Sequence, residues 1–355
     1  MKIRSVEAVP LAWPIPGGGP KWVSDYGPSS VAHAVIVQVT TDEGLVGYGE
    51  VHPGYGENRG ACYSARAIVE KELGPEIIGE DPTRPEYVWE KLYNGPRTAL
   101  ALTYGQAAPR LGRRGMTICA LSGIDMALWD IFAQSLGVPV YKLLGGGYRT
   151  RLPAYASGGH APPEFAGEQA LGYIEQGFRA MKMRVGGMDA PHQVTGAIAR
   201  IAAVREAIGP EIGLALDAHG SLNGTTAIRL AKAAEPYDIA WFEEPTSSDN
   251  WDAMAEVRAA TTIPIATGEN EFTQFDYRNL IARRAADILQ PDLAVMGGFT
   301  AARRVGALTH AHNLLCLPHV WGSAVLFIAS LHLAAALPNC PIFEFRQGTC
   351  ALFTD

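Results

Sequence analysis

The sequence predicts a two-part α/β protein: an α+β unit followed by a (β/α)8-type barrel. Three observations carry that expectation. After Arg151, eight short apolar runs alternate with amphipathic segments. From the second run onwards, a charged residue stands near the end of each, at near-constant spacing. The chain before Arg151 follows a different pattern, strands first and helices after.

In the first part, Ile3–Val9, Ala34–Val39 and Leu45–Gly49 alternate as strands do. Thr41-Asp42-Glu43-Gly44 supplies a hairpin turn, with glycine where positive φ is needed. Helical periodicity follows over Ala61–Leu73, Glu86–Tyr93 and Thr117–Leu136, the last stopped by Gly137 and Pro139. In the second part, strands end near Ser157, Arg184, Asp217, Glu243, Gly268, Gln290, Pro318 and Phe345. Helices between them include Gln193–Ile208, Thr225–Ala234, Phe272–Arg284 and Ala301–His312. An open doubly wound sheet is the rival arrangement, but eight near-uniform units favour closure.

Composition narrows the function. The 355 residues are 48% hydrophobic and 18% charged, enough apolar material for a large core. A net charge of −7 argues against nucleic acid as a partner, since phosphate binding needs clustered Lys and Arg. The five scattered cysteines form no C-x-x-C, so neither a disulfide framework nor a zinc site is expected, and a reducing cytoplasm is the simplest setting. The start, MKIRSVEAVP, reads as a strand rather than a signal peptide. Uninterrupted apolar runs of about 18 residues are lacking, so no membrane span is expected.

Barrel active sites lie at the C-terminal strand ends. The residues predicted there are Lys182 and Arg184, then Asp217, Glu243, Glu269, Asp292, His319 and Glu344, with successive spacings of 26, 26, 23, 27 and 25 from Asp217 on. Asp217, Glu243 and Glu269 put three carboxylates on adjacent strands. Like charges gathered so closely call for a cation, and an all-oxygen set suits Mg²⁺. The alternative is that each carboxylate caps the helix after its strand. Asp292 and His319 fall on neighbouring strands, where the carboxylate would orient the imidazole as a general base. Lys182 and Arg184, at i and i+2, share one face; turned inward they would bind a substrate carboxylate, and turned outward they would leave Met181 and Met183 to the core. Glu344, between Phe343 and Phe345, is expected to be buried and protonated, so that it could donate to a developing oxyanion. His219 in Asp217-Ala218-His219 could reach the site or serve its loop; His52 and His160 could line the pocket, and His310 and His312 belong to a helix.

Taken in order, Ala120-Leu121-Ser122-Gly123-Ile124-Asp125, Leu143-Leu144-Gly145-Gly146, Lys182-x-Arg184, Asp217-Ala218-His219, Trp241-Phe242-Glu243-Glu244-Pro245, Gly268-Glu269-Asn270, Gln290-Pro291-Asp292, Pro318-His319-Val320-Trp321-Gly322 and Phe343-Glu344-Phe345 resemble the mandelate racemase subgroup of the enolase superfamily over nearly the whole chain. That resemblance implies Asp217, Glu243 and Glu269 as Mg²⁺ ligands, Asp292–His319 as the base dyad, Glu344 as electrophile, and proton abstraction beside a carboxylate. It implies residues 1–115 as a capping domain, helix 117–136 as a bridge and 150–345 as the barrel. Loops near Ile15–Tyr26 and His52–Asn58 would close the pocket and choose substrates. A homo-oligomer and a small-molecule acid sugar, or its lactone, are implied as partners.

Two departures matter. Arg184 replaces the second lysine of the usual Lys-x-Lys, and a guanidinium of pKa above about 12 is a poor general base. That favours elimination over racemisation, with an aldonate or aldarate dehydratase first, a galactarolactone-type cycloisomerase second and an epimerase third. By the same resemblance, residues 346–355 are expected to form a short tail, without the segment by which relatives usually return to the capping domain. Other classes remain: a sugar-acid binding protein without turnover, which the intact dyad opposes, and a metal-dependent hydrolase barrel, which usually has richer histidine ligation.

Overall fold

The computed structural model describes residues 1–14, 23–24, 27–28, 31–54, 59–109, 113–159, 161–186, 193–348 and 352. Strands β1 (Ile3–Pro14), β2 (Val23–Ser24), β3 (Gly27–Pro28), β4 (Val31–Thr41) and β5 (Val46–Val51) come first. β1, β4 and β5 make an antiparallel sheet in that order, while β2 and β3 pair separately. The predicted turn joins β4 to β5, with Gly44 at φ 88°. Helix α1 (Arg59–Ala67) continues through a π-helical turn (Ile68–Leu73) into α2 (Gly74–Ile77); α3 (Pro85–Asn94), α4 (Thr98–Tyr104), α5 (Met116–Leu136) and α6 (Val140–Leu143) follow.

Helix α5 is long and apolar enough to cross a membrane, yet it lies buried in the core. Small residues let it approach β5 closely: a Cβ on Gly49 would come 2.0 Å from Gly123 O, and one on Gly123 would meet Val37 and Val51. Glycine is needed on both sides of that contact.

The barrel runs β6 (Ala154–Ser157), α7 (Pro163–Glu175), β7 (Ala180–Arg184), α8 (Gln193–Ile208), β8 (Gly213–Asp217), α9 (Gly224–Ala234), β9 (Ile239–Glu243), α10 (Trp251–Ala260), β10 (Ile265–Thr267), α11 (Thr273–Arg283), β11 (Ile288–Leu289), α12 (Gly298–Ala311), β12 (Leu315–Cys316), α13 (Ala324–Ala336) and β13 (Phe343–Arg346). All eight strands join one parallel sheet, ordered β12-β11-β10-β9-β8-β7-β6-β13. The first and last barrel strands therefore pair, Glu344 opposite Tyr155. Between β12 and β13 no strand pairing closes the ring among the described residues; a side chain bridges that seam instead, Val320 N–H donating to the Glu344 carboxylate at 2.7 Å.

Three of the predicted strand-end residues lie beyond the strands. Glu269 follows β10 by two residues, and Asp292 and His319 follow β11 and β12 by three. The reasons are local. Gly268 turns at φ 136°, and Pro291 and Pro318 have no N–H with which to extend a ladder. The four described cysteines, Cys62, Cys119, Cys316 and Cys340, are buried free thiols.

Candidate active site

Lys182, Arg184, Asp217, Glu243, Glu269, Asp292, His319 and Glu344 are all at most 4% exposed, and they face one mouth of the barrel. Alternation on β7 turns Lys182 and Arg184 inward, where the lysine reaches carboxylates from three other strands. Its ammonium donates to Glu243 and lies 3.0 Å from Glu344 and 3.5 Å from Asp217. Burial opposes its charge, but Glu243 and Glu344 more than offset this and raise its pKa well above the ordinary value. On β13, Phe343 and Phe345 pack outward against Phe327 of α13, which turns Glu344 inward.

Asp217 ends β8. Its Oδ2 is buried and accepts no well-angled hydrogen bond, although Arg184 Nη1 lies 2.9 Å away. Its Oδ1 accepts from His219 N–H at 2.9 Å. Burial raises its pKa, but His219, Arg184 and Lys182 outweigh that and hold it far below the usual range. Glu243 ends β9 and also accepts from Gln290 Nε2 at 2.6 Å and Trp241 Nε1 at 3.2 Å. Burial pushes its pKa up to about 7 against the pull of Lys182, with Asp217, Glu344 and Glu269 adding repulsion. Glu243 thus feels the charge of both Asp217 and Glu269.

Whether this set suits a cation follows from its chemistry. Three buried carboxylates, one with an oxygen lacking a hydrogen-bond donor, match the hard-oxygen preference of Mg²⁺. Among the described residues no three acidic or histidine side chains yet converge closely enough to hold an ion.

Asp292 and His319 meet at the mouth. His319 Nδ1 and Asp292 Oδ2 are 2.8 Å apart, and the other Asp292 oxygen accepts from Ala294 N–H at 2.7 Å. His319 Nε2 faces Glu269 at 3.5 Å. Burial pulls the imidazole pKa down, but Glu269, Glu344 and Asp292 together raise it to about 10.

Glu344 differs from expectation. It is buried, yet burial is outweighed by Lys182 and His319, which hold its pKa to about 2. Ionised, it accepts from Val320 N–H and has no proton to donate.

The histidines divide. His219 enters the site, its Nδ1 2.9 Å from Arg184 Nη1 and its Nε2 3.3 Å from Asp217. His52 arrives from the loop after β5, its N–H donating to Ala294 O at 3.3 Å. His160 lies outside the described residues, as do 15–22, 25–26 and 55–58 of the two loops expected to close the pocket. Gln290 and Trp241 were not assigned from the sequence; Trp241 could have been, because it stands two residues before Glu243 and so shares its face. Glu50 was also missed. It reaches across from β5, its carboxylate accepting from Ser323 N–H at 2.9 Å and Leu326 N–H at 3.0 Å at the start of α13.

Residues 22–145 match the mandelate racemase / muconate lactonizing enzyme N-terminal domain, and residues 166–350 match the enolase C-terminal domain-like family. The chain belongs to the mandelate racemase / muconate lactonizing enzyme group of the enolase superfamily. Its relatives in this superfamily include D-galactarolactone cycloisomerase of Agrobacterium fabrum, 37% identical over 328 residues, covering 88% of this chain and 80% of that one. D-galactonate dehydratase of Pectobacterium atrosepticum is 34% identical, covering 88% and 78%. Among solved superfamily structures, the 3,6-anhydro-D-galactonate cycloisomerase of Zobellia galactanivorans superposes with a TM-score of 0.82 at 31% identity, covering 100% and 90%. A superfamily member from a Polaromonas species gives 0.86 at 30%, covering 99% and 87%. Membership makes this protein an enzyme, a lyase or a closely related isomerase.

Proposed function

We propose that the protein is a Mg²⁺-dependent acid-sugar dehydratase, removing the proton α to a carboxylate and expelling the β-hydroxyl as water. The observation that carries this reading is the 2.8 Å Asp292–His319 pair facing Lys182 and the three carboxylates across one buried mouth. The dehydratases among its relatives support the same chemistry.

Asp217, Glu243 and Glu269 are the residues that would hold Mg²⁺, which supplies charge neutralisation to a carboxylate whose α-proton is to be removed. Lys182 adds a fixed positive charge beside the same oxygens. Asp292 holds the His319 ring with Nδ1 towards itself and leaves Nε2 to take the α-proton. His319 then returns that proton to the β-hydroxyl, so water departs and the enol left behind tautomerises to a 2-keto-3-deoxy acid. With Glu269 among the residues that would hold the cation, its charge would be offset there, leaving Asp292 and Glu344 as the carboxylates that raise the His319 pKa. Arg184 stays charged and offers no second base, which weighs against racemisation.

The test is a panel of aldonates, aldarates and their lactones with Mg²⁺ in D₂O, followed by proton NMR. A 2-keto-3-deoxy product that EDTA abolishes and Mg²⁺ restores is expected. Exchange or inversion at the α-carbon with every hydroxyl retained would overturn the dehydratase reading; full activity in EDTA would overturn the metal. Lactone cycloisomerisation is the second reading, favoured by the 37% identity to D-galactarolactone cycloisomerase. It would show as opening of a lactone by cleavage of its ring C–O bond at the β-carbon, the oxygen staying in the released carboxylate and the 2-keto-3-deoxy product being an isomer of the lactone, with no turnover of the open acid.

A further inference from the structure

One buried amide at the barrel centre serves a single carboxylate. Glu243 of β9 pairs with Ala266 of β10, and Ala266 pairs with Ile288 of β11, so the three side chains share the inward face. Gln290, two residues after Ile288, lies on the same face. Ala266 puts no more than a methyl group between β9 and β11, and the Gln290 side chain crosses β10 to donate from Nε2 to Glu243 Oε2 at 2.6 Å. The same oxygen accepts from Trp241 Nε1 at 3.2 Å. With two N–H groups on Oε2, Oε1 is left to the Lys182 ammonium, which also lies 3.5 Å from Asp217 Oδ2. Gln290 is 1% exposed, and among the described residues its Oε1 accepts no hydrogen bond. A methionine would fill the same space without burying an amide.

We propose that Gln290 is a positioning residue for the cation site: its amide fixes the Glu243 carboxylate with Oε2 turned away and Oε1 on the side of Asp217. This rests on the reading of Asp217, Glu243 and Glu269 as Mg²⁺ ligands above. A carboxylate free to turn must be ordered when an ion binds, at a cost in side-chain entropy. One already held by donors from two strands has little left to lose, so the amide contributes to affinity for the ion more than to the fold. Gln290 also links that carboxylate to the dyad. Its own N–H donates to Thr267 O at 2.9 Å, and Pro291 and Asp292 follow it directly, so one stretch of backbone sets both Glu243 and Asp292. Trp241 is the poorer probe of the same oxygen, because its ring packs edge-on against buried Tyr155 and its loss would open a cavity.

The deciding experiment titrates Mg²⁺ by calorimetry into the full chain, stripped of metal, and into its Gln290→Met and Glu243→Gln variants, with thermal melting of each metal-free protein alongside. Methionine matches glutamine in length and removes the donor. Gln290→Met should weaken Mg²⁺ binding about 10- to 100-fold, the ordinary effect of losing a group that orients a metal ligand. Its metal-free melting temperature should stay within about 4 °C of the wild type. Glu243→Gln should abolish binding. A loss of affinity smaller than about tenfold in Gln290→Met overturns the positioning role. A larger drop in melting temperature, with or without loss of binding, assigns the amide to the fold and overturns it too. Wild-type binding that survives Glu243→Gln, or no binding by the wild type, overturns the cation reading itself, and the role of Gln290 falls with it.

Discussion

His319 is asked to be a base in a pocket that holds its proton tightly, because Glu269, Glu344 and Asp292 together raise its pKa to about 10. The three carboxylates have separate tasks. Asp292 fixes the ring, Glu269 belongs to the proposed cation set, and Glu344 ties the chain at Val320 to β13. Of these groups only His319 itself then takes the α-proton. His319→Asn keeps a polar group of similar size near Asp292 and removes the group that accepts the proton. Exchange of the α-hydrogen with solvent deuterium should become undetectable by NMR, while calorimetric Mg²⁺ affinity stays within about threefold, under 1 kcal/mol. Retained exchange in that variant would shift the base to Lys182, the other proton-transfer group at the centre of the mouth. Loss of Mg²⁺ binding along with exchange would instead mean that His319 acts by holding Glu269 in place.

At the level of elements, the strand ends that carry the site are held from outside the barrel. Helix α13 follows the His319 loop, and its first N–H groups are capped by Glu50 of β5 as well as by Ser323. Gly322 makes room, since a Cβ there would sit 2.5 Å from Glu50 Oε1. Glu50→Ala strands Ser323 and Leu326 N–H groups away from water, a loss of about 2–4 kcal/mol by the ordinary penalty for buried unpaired donors. Thermal unfolding should report that loss, and kcat should fall with it as the His319 loop loosens. A destabilised variant with unchanged kcat would mean that Glu50 holds the helix but not the loop. The same contact shows where sequence reading stops. Apolar runs ending in a charged residue reveal β7, β8 and β9 directly, because each strand ends on its candidate site residue. The reading placed Glu269, Asp292 and His319 at strand ends because proline and glycine shorten a ladder without disturbing the apolar pattern around it. Glu50, 273 residues from Ser323, leaves no local trace. The ionised state of Glu344 was equally hidden, because it is set by Lys182 two strands away and by His319 across the unpaired seam.

Across the whole molecule, the N-terminal part and the barrel are joined by buried polar contacts at the two helices that follow the dyad. Glu50 caps α13, and Asp125 of α5 caps α12, accepting from Thr300 N–H at 2.9 Å and from its hydroxyl at 2.6 Å. Around the Asp125 contact, Trp89 Nε1 donates to Gly297 O and Gly297 N–H donates to Ser122, so the corner ahead of α12 is held by α3 and α5 together. Folding of the two parts is therefore expected to be cooperative, and Asp125 gives that interface a pH dependence. Burial raises its carboxyl from an ordinary 3.8 to about 7 in spite of the Thr300 hydrogen bonds. Between those values the folded protein holds a proton that the unfolded chain has released. Stability therefore falls as pH rises through that window and levels off above it, by up to about 4 kcal/mol for a shift of this size. Asp125→Asn keeps an oxygen for Thr300 N–H and removes the titration. Melting temperatures taken from pH 5 to 8 should decline more steeply for the wild type than for the variant, with the two curves separating most above pH 7, where the native carboxylate is charged. Parallel curves would show that Asp125 stays ionised in the folded protein, and that the N-terminal positive end of α12 stabilises its charge more than burial opposes it.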